Sequence, residues 1–117
     1  MKRKSLFKYS HEHFGTEPEY LWKKFPSYAV LRHQRGDKWS AIVMNVPGYK
    51  IGLKTEEEVD ILDVKVRPEY IGSLRQKAGV YPAYHMNKEY WVSVLLEGPL
   101  PAEEIYELLV NSYKLTS

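Results

Sequence analysis

The residues in this chain that could do chemistry are few. They gather around basic side chains that lie next to aromatic ones. Arg32, His33, Arg35 and Lys38 flank a turn, and Trp39 follows at once. Lys50 and Lys54 lie beside Tyr49. Lys88 occupies a second turn, with Tyr84 and His85 before it and Tyr90 and Trp91 after it. Basic groups neutralise phosphates and aromatic rings stack on exposed bases, so this pairing points to nucleic acid. The plainer reading is that lysines at turns keep the surface soluble, and that Trp39 and Trp91 belong to the core. His85 ends a strand beside Tyr84, close to Lys88. It reads either as a proton donor or phosphate contact, or as a hairpin residue bonded locally.

Other chemistries find little support. The serines at 5, 10, 27, 40, 73, 93, 112 and 117 lie in no G-x-S-x-G context. No phosphate-cradling GxxxxGK[ST] or GxGxxG occurs. His11-Glu12-His13 is a lone His-x-His with no third ligand at a fitting spacing, so no metal site is expected. The acidic run Glu56-Glu57-Glu58 reads as a solvated turn. The chain has no cysteine. This excludes disulfides, thiolate metal sites and a Cys nucleophile, and it is compatible with a reducing cytoplasm. We expect a non-enzymatic protein without a cofactor.

Elements must position these groups. The chain has 117 residues, 44% hydrophobic and 27% charged, which fits one folded domain. Residues 1–54 hold 11 Lys/Arg against 4 Asp/Glu, and residues 55–117 hold 6 against 11. That asymmetry gives one face a positive potential unless the halves interleave. No stretch approaches the roughly 18 apolar residues of a membrane span, and residues 1–14 lack a signal-peptide apolar run. A cytoplasmic location with no membrane partner is the expectation.

Residues 1–14 read as a basic, partly ordered lead. A short first helix is expected from Thr16 as N-cap to Pro26, with Leu21, Trp22 and Phe25 as its stripe. Strands follow at Tyr28–His33 and Lys38–Val46, joined as a hairpin, and at Val59–Val66. In the third strand Leu62, Val64 and Val66 share one face and Asp63 and Lys65 the other, and the Ile61–Leu62 pair suggests a bulge. Pro68 opens a second helix that ends at Gly79. Strands at Tyr81–His85 and Tyr90–Leu96 enclose a polar turn, Met86–Glu89. Pro101 opens a last helix, with Glu103 and Glu104 in its first turn and Ile105, Leu108, Leu109 and Ser112 on its inner face. The order is α-β(3)-α-β(2)-α: an α+β, two-layer sandwich with an antiparallel sheet.

The segment Gly79–Gly98 and the last helix carry a resemblance. Pro82, Ala83, Tyr84, His85, Met86, Asn87, Lys88, Trp91, Ser112, Tyr113 and Leu115 look like the C-terminal half of the YjbR-like (MmcQ/YjbR) family, and residues 38–46 and 59–70 fit as well. The resemblance covers residues 16–117 and implies the same two-layer fold. It also implies a DNA-binding role through a CyaY-like double wing. Arg32, Arg35, Lys38 and Lys88 would then contact phosphate, with Tyr84, His85 and Trp91 near the surface they line. The fold is similar to that of type III secretion chaperones as well. The alternative is therefore a peptide- or protein-binding module, with a second copy of the chain among its candidate partners.

Overall fold

The computed structural model describes all 117 residues. Helix α1 (Arg3–Phe14) leads to strands β1 (Ala29–Arg32), β2 (Trp39–Pro47) and β3 (Glu58–Lys65). A short helical stretch follows, a 3-10 turn at Pro68–Tyr70 running into α2 (Ile71–Arg75). Strands β4 (Val80–Pro82) and β5 (Trp91–Leu95) and helix α3 (Ala102–Thr116) complete the chain. The five strands form one antiparallel sheet in the order β1-β2-β3-β5-β4. The architecture is the α-β(3)-α-β(2)-α sandwich expected from the pattern.

The strand alternation sends side chains to two apolar layers. Leu31, Val43, Leu62, Val64, Val92 and Val94 meet Leu6 of α1 and Ile105 and Leu109 of α3. On the other face lie Val30, Ile42, Met44, Val46 and Ile61. No helix covers this second face. The connections at 16–28 and 48–57 and the side chains of Trp22, Trp39, Tyr84 and Met86 close it instead. Because both faces are covered, β2 and β3 carry apolar side chains on each of them. Ile61 and Leu62 are therefore adjacent in an unbroken register, with no bulge between them. The register shifts at Leu31/Arg32.

Two expectations at the N-terminal end are corrected. Residues 3–14 are a helix, not a partly ordered lead. Its Leu6 is fully buried, and the αL residue Gly15 (φ 68°) caps it by donating its N–H to the His11 carbonyl. Arg3 binds both oxygens of Asp60, at 2.8 and 3.1 Å, and donates to the Ser27 carbonyl at 2.8 Å. Conversely, residues 16–26 form no helix. Glu19 pairs with Val30 through two 2.9 Å backbone bonds, adding an extended segment to the sheet edge. Pro18 and Pro26 leave too few residues between them for a helix to outweigh that pairing.

The last helix is latched by its polar residues. Ser112 Oγ donates to the Ser40 carbonyl at 2.6 Å and accepts the Lys65 N–H at 2.7 Å, tying α3 to β2 and β3. Tyr113 stacks between Phe14 and His33 at centroid distances of 4.1 and 4.0 Å. The second helical stretch ends at Arg75, earlier than expected, and a turn carries the chain to Gly79 at φ 93°. A Cβ built on Gly79 would lie 3.1 Å from the Pro99 ring. Gly79→Ala is expected to destabilise by about 1–2 kcal/mol, measurable by thermal melting.

Candidate nucleic-acid interface

The pairing pattern fixes where the basic turns lie. β1, β3 and β4 run one way, and β2 and β5 run the other. The β1–β2 turn (33–38) and the β4–β5 turn (83–90) therefore leave the sheet at the same end. The acidic stretch Glu56–Glu58 and Glu97 lie at the opposite end, with the start of α3. The asymmetry between the two halves of the sequence thus becomes in part an end-to-end polarity.

Of the residues expected to bind, Arg35, Lys38 and Lys88 are exposed at this end and make no ion pair. Arg67, just beyond β3, is also exposed and unpaired. Arg32 differs. It lies 3.1 Å from Glu19 and 3.8 Å from Asp37, so two carboxylates compete with any phosphate. The β1–β2 turn needs left-handed backbone at Gly36 (φ 92°) and Asp37 (φ 58°), which brings the Asp37 carboxylate back towards Arg32.

Trp91 is corrected. It is only 9% exposed, because β5 is an interior strand with β3 and β4 on either side. It supports the sheet and offers no surface for a base. His33 is also withdrawn from the basic patch. Its Nε2 lies 2.8 Å from Thr116 Oγ, and its ring is buried against Tyr113.

The β4–β5 turn is tightly held. Ala83 is fully buried, and the Tyr84 N–H donates to Ser93 Oγ at 2.8 Å. Asn87 closes the turn: its side chain accepts the Glu89 N–H at 2.7 Å and its carbonyl the Trp91 N–H at 2.9 Å. His85 takes the left-handed conformation (φ 63°), and its ring lies 3.9 Å from that of Tyr84. This places His85 on the helix-free sheet face. There it joins Met86, Trp22, Phe25, Tyr28, Trp39, Ile42 and Met44 around a cavity of about 260 Å³. Trp22 and Trp39 meet edge to face at 5.6 Å, and Phe25 stacks on Tyr28 at 4.7 Å. Burial, and then the neighbouring Tyr84, push the Tyr28 hydroxyl up to about 12, so it stays neutral. Trp22, Phe25 and Met86 escaped the sequence reading. The first two looked like a helix stripe, and only the edge pairing of Glu19 turns them onto this face.

Asp63 also escaped it. It shares the helix-free face with Ile61 and lies opposite Ile42 and Ser93, with no solvent exposure. Ser93 Oγ donates to Oδ1, and Oδ2 has no partner. Burial pushes its carboxyl up to about 7, against the opposing effects of the Ser93 hydrogen bond and the Lys88 charge. Alternation placed it opposite Leu62 and Val64, but nothing local announces a second apolar layer there.

A larger cavity of about 480 Å³ lies between α2 and α3, lined by Val66, Arg67, Leu74, Lys77, Glu104 and Leu108 among others. Its charges are mixed, and Lys77 is engaged with Glu104 at 2.7 Å. It lacks the cluster of indole and phenyl rings that lines the smaller cavity. No three His, Cys, Asp or Glu side chains come together to hold a metal ion. No helix is long and apolar enough to cross a membrane.

The fold and this end of it define a class: a small α+β domain with helices on one sheet face and two hairpin turns projecting together. The chain belongs to the YjbR family, whose model matches residues 12–115. It is similar to the Bacillus subtilis (strain 168) protein YyaQ, an uncharacterised protein, with 44% identity over 99% of this chain and 98% of that one. It is also similar to the uncharacterised YjbR of Escherichia coli (strain K12), with 35% identity over 65% of this chain and 66% of that one. A crystal structure of a Pseudomonas syringae protein, 50% identical, matches with a TM-score of 0.98 and covers 100% of both chains.

Proposed function

We propose that the chain is a DNA-binding protein whose two hairpin turns act as paired wings, with Arg35, Lys38 and Lys88 neutralising phosphates. The observation that carries this reading is the exit of both turns from one end of the sheet, each with exposed, unpaired basic side chains. Arg67 adds charge between them, and Arg32 contributes less because of Glu19 and Asp37. Each neutralised phosphate releases counterions and makes binding depend on salt. Titration with labelled duplex DNA at several salt concentrations is expected to give a straight line of log affinity against log salt. With three such contacts the slope is roughly −2.7. Replacing both Lys38 and Lys88 with Ala should flatten it by roughly 1.8. Absence of binding at low salt would overturn the reading.

A second reading, a peptide-binding or self-associating module, draws on Tyr20, Leu21 and Phe25. These three large apolar side chains are exposed on one loop next to the pocket. A monomer-to-dimer shift on dilution-dependent sizing would favour it.

A further inference from the structure

We infer that the aromatic pocket on the helix-free sheet face seats one unstacked nucleobase, so that single-stranded nucleic acid is the preferred ligand. This rests on the nucleic-acid reading above and goes further by naming the form of the ligand.

The pocket's chemistry is that of a stacking site. Trp22 and Trp39 form two walls at 87° to one another, and His85 and Met86 stand among the other lining residues. The remaining surface is apolar, and no carboxylate lines it. A volume of about 260 Å³ falls just below the roughly 300 Å³ at which drug-sized ligand sites begin, which suits a single flat ring system.

The surroundings select a polyanion. Lys23 and Lys24 follow Trp22 in the chain, Lys38 precedes Trp39, and Lys88 lies two residues after Met86. All four are exposed, and none is held in an ion pair. An apolar side chain of a partner protein would fit the lining but gain nothing from these lysines. A base carried on a phosphate backbone uses both features. Bases stacked inside a duplex present only their edges, so a recessed pocket reaches a base only after unstacking, which a single strand supplies at little cost.

The test compares oligothymidine with a mixed-sequence duplex of equal length, read by tryptophan fluorescence and by anisotropy across a salt series. The single strand is expected to bind roughly tenfold more tightly than the duplex and to quench the indole emission. Trp22→Ala and His85→Asn should each weaken single-strand binding by roughly tenfold, and Trp22→Ala should leave duplex affinity and the salt slope unchanged. Asn tolerates the left-handed backbone at position 85, so the second variant preserves the turn if the first proves unstable. Equal binding of both forms, unaltered in the variants, would overturn the inference while leaving the DNA-binding proposal standing. No binding of either form at low salt would overturn both. A concentration-dependent dimer dispersed by Trp22→Ala would also overturn the inference, because the pocket would then seat a side chain of a second copy.

Discussion

At pH 8, Asp63→Asn is expected to be more stable than the parent chain by about 1–3 kcal/mol, and the advantage should vanish below pH 4. Asp63 is buried, and its carboxyl is pushed from 3.8 up to about 7. The folded state therefore holds a proton there that the unfolded chain has already released. Stability from this group is fully present below pH 4, falls as pH rises towards 7, and is lost above it. The span corresponds to roughly 4 kcal/mol at neutral pH and above. Asn keeps an acceptor for the Ser93 hydroxyl but puts an amide where Oδ2 has no partner, which returns about 1–3 kcal/mol as an unsatisfied donor. Asp60 does not confuse the reading. Burial would raise its carboxyl, but the hydrogen bonds from Arg3 and Asn45 leave it below its ordinary value of 3.8, so its contribution is lost only in more acidic solution. Urea unfolding of both chains across pH 4 to 8 measures the difference. Equal slopes in parent and variant would show that Asp63 does not titrate in this window.

The second large effect lies in α1. Leu6→Ala is expected to cost about 3 kcal/mol and to lower the melting temperature by roughly 10 °C. Leu6 has no exposed surface and packs into the same layer as Leu31, Ile105 and Leu109. Its removal leaves a cavity enclosed by a sheet and two helices, which close only partly around the loss. If residues 1–14 were a loosely attached lead, the same substitution would change stability by less than about 0.5 kcal/mol. Thermal and urea unfolding distinguish the two outcomes directly.

That contrast shows where sequence patterns inform and where they do not. The strands from Trp39 to Pro47 and from Trp91 to Leu95 were legible, because β-branched and aromatic residues run together between clear breaks. The last helix was legible from its acidic first turn and its inner face. Helix α1 was not. Its buried positions, Leu6 and Ser10, include a polar one, so the apolar stripe is thin. Ser10 is satisfied by Thr16, a pairing that only the folded chain creates. Residues 16–26 carried helical spacing, yet the sheet edge captured them through Glu19, as tertiary contacts often override weak local preference. At the proposed interface, Arg35, Lys38 and Lys88 were legible as turn residues, whereas His85 read as a strand end and lies in the turn beyond β4. Their shared end of the sheet was not, because that depends on strand order. The burial of Asp63 was not legible, because the sheet face without helices is nevertheless covered.

On the proposed reading, nucleic acid engages the hairpin end of the sheet. Backbone and indole N–H shifts of labelled protein, followed by NMR during titration with oligothymidine at low salt, test it most directly. We expect the shifts to concentrate at residues 35–38 and 84–88 and at the indoles of Trp22 and Trp39, with the buried Trp91 little changed. Shifts gathered instead between α2 and α3, or an unperturbed spectrum at low salt, would contradict it.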